Sequence, residues 1–162
     1  MSPTRRTRRT AVAAAVLLAG TGAALAVVPA ASAGTTLRLT TVAVPDRNTD
    51  LDLGAPGPSP GDTQVFLDDV QRDGRTIGTS GGSCTITALS ESRLAGACTA
   101  TLVLPRGQVT AQGAFDEDPA AGPDGFTWAV TGGTGRYAGA GGEVVGVFRP
   151  GTDVVDLEVR LD

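Results

Sequence analysis

The run A-V-T-G-G-T-G-R-Y-A-G-A-G-G-E-V, Ala129 to Val144, carries the spacing of a phosphate cradle, a strand-like approach into G-G-T-G-x-x-x-G. In a dinucleotide fold such a turn brings the amides at a helix N-terminus to the pyrophosphate. It does so inside a βαβ unit, with an acidic residue about 20 positions later. Here Ala-Gly-Ala-Gly-Gly is followed by V-V-G-V-F, which reads as a strand, so the required helix never arrives. The glycines are better read as a tight connection between strands. Gly132, Gly133 and Gly135 supply positive φ, Gly139, Gly141 and Gly142 let the chain bend back into a sheet, and Tyr137 plugs a barrel end. No nucleotide cofactor is expected.

Other chemistry is narrowed by what the chain lacks. It has no histidine, which removes the Ser-His-Asp and Cys-His mechanisms and the commonest transition-metal ligand. Two cysteines, Cys84 and Cys98, form a disulfide by default in an exported chain, with two free thiols or an intermolecular link as the alternatives. Zinc would need further ligands at sensible spacing, and none stands near them. Asp46-x-Asn48-x-Asp50 begins like a calcium loop, but Leu51 occupies the glycine position and Gly57 that of the closing glutamate. No metal is expected, and the cluster Asp116-Glu117-Asp118 reads as a solvated loop.

The first 33 residues read as an export signal. Arg5, Arg6, Arg8 and Arg9 precede an alanine-dominated apolar stretch, Ala11 to Val28, and Ala31-Ser32-Ala33 gives the small-x-small pattern of cleavage after Ala33. A cleaved signal leaves no stable membrane span. Thr7-Arg8-Arg9 hints at twin-arginine export, yet Ala11 stands where a bulky apolar residue belongs, so both export routes stay open. All 13 basic residues are arginine and four leave with the signal, so nine face all 17 acidic residues, a net charge near −8. Such a chain is repelled by polyanions, which argues against nucleic-acid binding.

The elements that must position any chemistry are strands. No amphipathic helix is present, and β-branched or alternating runs recur between turn signals. Strands are predicted at Thr35–Val44, Asp62–Val70, Thr76–Ser80, Cys84–Leu89, Leu94–Leu104, Gln108–Phe115, Phe126–Thr131, Glu143–Phe148 and Asp153–Leu161. A Pro/Gly connector, D-L-G-A-P-G-P-S-P-G-D, separates the first two, and Asp116 to Gly125 is an exposed acidic loop. Seven to nine short strands with hairpin-length connections form one domain, 34–162, as a sandwich or a closed up-and-down barrel. Closure is the simpler topology and also removes exposed sheet edges. A hairpin centred on Glu91 would set Cys84 opposite Cys98. The bridge would close a loop of about 15 residues, worth roughly 3 kcal/mol.

Four segments together resemble a known family. The glycine run of Ala129 to Val144 is similar to a segment of plant allene oxide cyclases and to the G-G-T-G-x-F…A-x-G segment of dirigent proteins. G-D-T-Q-V-F-L-D-D-V, Gly61 to Val70, resembles the strand carrying F-x-N in the cyclases and F-x-D-D-x-L in dirigent proteins. G-T-S-G-G-S-C, Gly78 to Cys84, and G-Q-V-T-A-Q-G, Gly107 to Gly113, match the strands that follow in the same order. The resemblance implies an all-β, calycin-like, eight-stranded antiparallel β-barrel with an internal cavity, commonly a homotrimer. It also implies a barrel that shapes a reactive ligand with few catalytic groups, an entropy-trap role.

Carried over by residue, Asp68 falls at the cyclases' cavity Asn, and Asp68-Asp69 at the dirigent acidic pair. Phe66, Asp68 and Val70 share one strand face; Val65, Leu67 and Asp69 share the other. A carboxylate in an apolar cavity can serve as acid or base, so Asp68 and Asp69 are the candidate catalytic residues, the alternative being two solvated carboxylates at a strand end before the Asp73-Gly74 turn. Phe66, Trp128 and Tyr137 are the candidate ligand contacts, with plain barrel packing the alternative for Trp128 and a packed plug that for Tyr137. Cys84 matches a cyclase cavity cysteine, and pairing with Cys98 would make it structural. The first strand, T-T-L-R-L-T-T-V, lacks the acidic residue that the cyclases carry near its start. Two functions follow as expectations: a secreted barrel that binds a small apolar molecule and steers its cyclisation or coupling, or a non-catalytic secreted binding or cell-envelope module on the same barrel.

Overall fold

The computed structural model describes residues 34–162; the expected signal and its cleavage site after Ala33 lie outside them. Nine strands form, β1 (Thr35–Val42), β2 (Thr49–Leu51), β3 (Thr63–Arg72), β4 (Arg75–Ser90), β5 (Arg93–Leu104), β6 (Gly107–Glu117), β7 (Gly125–Gly133), β8 (Gly142–Phe148) and β9 (Val154–Leu161). They pair antiparallel in the order β1-β9-β8-β7-β6-β5-β4-β3-β2, and β1 also pairs with β3. That last pairing closes eight strands into a barrel and leaves β2 as an extra. Among the described residues no helix is long and apolar enough to cross a membrane.

Two elements differ from the sequence expectation. Thr76–Ser80 and Cys84–Leu89 are parts of one strand, β4, which runs unbroken through Gly81 and Gly82. Glycine reads as a break in a strand pattern. Here Gly82 sits where a Cβ would collide with the Thr99 carbonyl and the ring of Phe66, so the missing side chain permits a close approach inside the sheet. The short β2, inside the stretch that begins like a calcium loop, gave no strand signal. It exists because β3 outruns β1. β1 pairs with β3 only at Asp69, Val70 and Gln71, and β2 takes the remaining edge at Thr63 to Val65.

Cys84 does face Cys98, but by a different route. The β4–β5 turn centres between Glu91 and Ser92, which alone would set the cysteines one residue out of step. The register shifts between Ile86 and Ala88, leaving Thr87 as a bulge that restores the pairing. The disulfide bridges the two strands with Cα atoms 4.1 Å apart.

The barrel is solid at one end and hollow at the other. Val70, Leu102, Leu104, Val109, Val130, Val159 and Leu161 pack the closed end, with Val70 and Val159 at 0% exposure. The glycine run forms its cap. β7 ends at Gly133, a single 3-10 turn covers Gly135–Tyr137, and β8 follows. Gly135 is required there, because its φ is +60° and a Cβ would collide with the Arg106 carbonyl. Among the described residues a 3-10 turn and a strand, and no α-helix, follow the run.

One acid anchors the Pro/Gly connector. The Asp62 carboxylate accepts the Leu53 N–H at 2.8 Å, the Ser59 N–H at 2.7 Å and the Ser59 hydroxyl at 3.3 Å. The Leu53 N–H lowers its pKa most, burial opposes this, and the two Ser59 donors lower it further. A carboxyl whose folded pKa lies below its unfolded value stabilises fully above the unfolded value, near 3.8, and ceases to as pH falls through the folded one. Protection factors of the Asp52–Gly61 amides, that is, exchange rates corrected for the intrinsic pH dependence of amide exchange, should therefore fall below about pH 4 while the barrel strands stay protected. Asp62→Asn should show low protection there at both pH 7 and pH 3. Connector protection that is the same at both pH values in the parent would contradict this anchor.

Candidate functional site

At the open end the lumen holds a cavity of about 470 Å³. The chain's four Phe and its single Trp all line it: Phe66, Phe115, Phe126, Phe148 and Trp128. Five rings aimed at a barrel axis would fill it. They do not, because four of them lie back against glycines on the next strand. Phe66 faces Gly82, Phe115 faces Gly96 and Phe126 faces Gly146 as direct cross-strand pairs. Trp128 lies over Gly113, one step beyond the Gln112–Ala129 pair. In every case a Cβ on the glycine would run into the ring. The empty glycine site lets each ring lie along the wall, and the ring covers backbone that the glycine leaves bare.

The wall is also stiffened by ring contacts. Phe126 stacks on Trp128 with centroids 4.2 Å apart and meets Phe148 edge-on at 6.0 Å, geometries that suit the charge distribution of aromatic faces and edges. Trp128 is 9% exposed, and its Nε1–H is buried with no acceptor in reach. Such a donor costs about 1–3 kcal/mol relative to a satisfied one. Cys84 and Cys98 complete this part of the wall.

The aspartate pair is split by the strand. Asp68 lines the cavity with Phe66, opposite the buried Ser80. Asp69 turns to the outside and is bound by Arg47 at 2.6 Å, so it is not a cavity group. Tyr137 is likewise absent from the cavity. Its 3-10 turn holds it in the core at the closed end, the plug half of the sequence reading.

Sequence reasoning missed Asn48. Where the β1 and β2 pairings leave a gap on the edge of β3, the Asn48 side chain fills it. Its Oδ1 accepts the Leu67 N–H at 3.1 Å, and its Nδ2 donates to Asp68 Oδ1 at 3.2 Å. The same side chain thus completes the wall and orients the carboxylate. Glu117 was also assigned to a loop. It is the last residue of β6 and lines the cavity, while its neighbour Asp116 faces out to Arg93. The period-two run Ala111, Gly113, Phe115, Glu117 carried that signal. Among the described residues, no three His, Cys, Asp or Glu side chains are grouped to hold a metal ion.

Comparison with known proteins places this geometry. The description "Allene oxide cyclase barrel like domain" matches residues 40–153. The chain belongs to the allene oxide cyclase barrel-like family. No curated protein sequence matches it. Among solved structures, this allene oxide cyclase-like barrel is similar to a pyocyanin demethylase at 30% identity and TM-score 0.67, over 79% of this chain and 100% of that one. A pterocarpan synthase dirigent protein shares the fold at 14% identity and TM-score 0.62, over 79% and 94% of the two chains. A Diels–Alderase from Streptomyces koyangensis does so at 21% identity and TM-score 0.64, over 78% and 63%. The allene oxide cyclase-like barrel therefore has dirigent and cyclase barrels as its structural neighbours.

Proposed function

We propose that this chain is an exported barrel that binds a small, largely apolar molecule in its lumen and steers its cyclisation or coupling by confinement. The observation that carries the reading is the hollow aromatic lumen. Five rings are held off the axis, four of them by glycines, around a cavity of about 470 Å³, within the range of small-molecule sites. Confinement of a flexible reactive molecule in one conformer supplies rate and selectivity with few catalytic groups. Phe66 and Trp128 are its apolar contacts. Asp68, held by Asn48, is the group placed to anchor a polar atom or move a proton. Its position beside Ser80 supports steering over a plain carrier. No nucleotide or metal takes part, and nucleic acid is not a partner.

Export with cleavage after Ala33 belongs to the same proposal, and the Cys84–Cys98 bridge fits an oxidising compartment. A homotrimer, which the family resemblance implies, is its expected assembly.

The test is native mass spectrometry of protein recovered from the culture medium. The expected species begins at Gly34 and carries a small co-purifying molecule, and Asp68→Ala retains at least about fivefold less of it. A parent protein that is empty, and whose Trp128 fluorescence no apolar aromatic compound alters, would overturn the reading.

A further inference from the structure

The arginines at the open end have a consistent placement. Three stand there, Arg47, Arg93 and Arg149, and each is tied to a carboxylate on the outer face. Arg47 holds Asp69 at 2.6 Å, Arg93 holds Asp116 at 2.8 Å and Arg149 holds Asp156 at 2.6 Å. The last two are two-pronged, through both Nε and a terminal nitrogen. Hydrogen bonding to Arg93 and to Arg149 holds the carboxyls of Asp116 and Asp156 below their ordinary values.

The inner face is the reverse. Asp68, Glu117 and Asp153 line the cavity, no arginine does, and among the described residues none of the three is in an ion pair. Twice the two kinds of acid are sequence neighbours, Asp68 beside Asp69 and Asp116 beside Glu117, so strand alternation sends one inward and one outward. Arg72, Arg75, Arg106 and Arg136 lie at the opposite end, Arg72 closing β3, Arg75 opening β4, Arg106 in the turn before β6 and Arg136 in the 3-10 turn before β8. The lumen thus opens through a mouth whose inward-facing charges are all carboxylates, the nearby arginines being paired on the outer face.

We infer that the lumen selects its guest by charge, admitting neutral or cationic aromatic molecules and rejecting carboxylated or sulfonated ones of the same shape. This rests on the ligand-binding reading above. An acidic rim alone would not make a site. The site is the cavity, walled by five aromatic rings with the unpartnered Trp128 N–H buried in its wall. The physical cause is that an anion entering loses water and finds no cation, while three carboxylates repel it in a space partly shielded from solvent. A cation meets aromatic faces and carboxylates, both attractive to it. A fatty-acid carboxylate could not bury its head group here.

The test uses three probes of one size: 1-naphthylmethanol, 1-naphthylmethylammonium and 1-naphthoate. Calorimetry measures affinity, and the NMR shift of the Trp128 indole proton, the only one in the chain, reports lumen occupancy. The alcohol and the ammonium should bind and move that proton, with naphthoate at least about tenfold weaker than the alcohol. In D68N/E117Q/D153N the ratio of alcohol to naphthoate affinity, read within that variant, should fall below about threefold, whatever the loss of Asp68 does to alcohol binding itself. In the parent, 1 M salt should shrink that ratio in the same direction by screening, a readout that needs no variant. Naphthoate binding as tightly as the alcohol, or a deficit untouched by both salt and the triple variant, would overturn the charge inference alone. If none of the three binds or moves the indole proton, the ligand-binding reading fails with it.

Discussion

Gly146→Ala should weaken binding of naphthalene-sized guests at least about tenfold while leaving the barrel folded. The three atoms nearest an added Cβ all belong to the outer edge of the Phe126 ring. The strain is therefore relieved by swinging one side chain, and the space that will take it is the lumen. The swing also breaks the 4.2 Å stack on Trp128 and the contact with Phe148. Overpacking of this kind costs about 1–3 kcal/mol of stability. Gly82→Ala provides the contrast. There the added Cβ meets the Thr99 carbonyl and lies 2.9 Å from the Ala100 Cα, both backbone of β5, and no rotamer change relieves it. That variant should lose more than about 3 kcal/mol or fail to accumulate. Gly122→Ala, with nothing within 4 Å and φ +71°, should cost only about 1 kcal/mol of backbone strain. Calorimetric binding and thermal melts of the three variants separate the cases. A Gly146→Ala protein that binds like the parent would refute the view that glycines keep the lumen hollow.

The second large effect is loss of the disulfide. Cys84→Ala/Cys98→Ala should lower stability by about 3 kcal/mol through the freed chain loop, a fall in Tm of roughly 10 °C for a domain of this size. The fold should survive, because β4 and β5 remain paired from Thr79–Val103 to Ser90–Arg93. The bridge is also part of the lumen wall, so the variant should accept bulkier guests near Trp128. Melting curves with and without reductant give a direct check. The parent should fall to the variant's Tm when reduced, and the variant should not respond. A parent whose Tm is unmoved by full reduction would show that the bridge contributes nothing to stability.

Much of the frame was legible in the sequence, because alternation and turn residues act locally. The β7–glycine–β8 connection and the β3–β4 turn follow from short-range rules, whereas the Cys84–Cys98 pairing, read from a turn centred on Glu91, is met only because the Thr87 bulge offsets a turn centred half a residue later. The inward direction of Asp68 was harder to read. Phe66 and Val70 flank it on one face, but Val65 and Leu67 make the other face equally apolar, and only barrel closure decides between them. The ring–glycine pairs were out of reach for a related reason. Phe115 over Gly96 and Phe126 over Gly146 depend on register between strands, where a one-residue bulge such as Thr87 changes which residues meet. Asn48 was hidden because its role exists only where two strands share one edge of a third. Tyr137 reads from sequence as a plug first and a ligand contact second, and it is buried in the core at the glycine-capped end of the barrel, away from the cavity.

That shared edge has a mechanical consequence. Toward β3, the segment from Ala43 to Asn48 is fastened by side chains: the Arg47–Asp69 ion pair and the two bonds of Asn48. Such fastenings can release and re-form without any strand slipping register, whereas parting β4 from β5 would undo a ladder. The panel of wall nearest Asp68 is therefore held to β3 by bonds of a different kind from the ladders that hold the rest of the barrel.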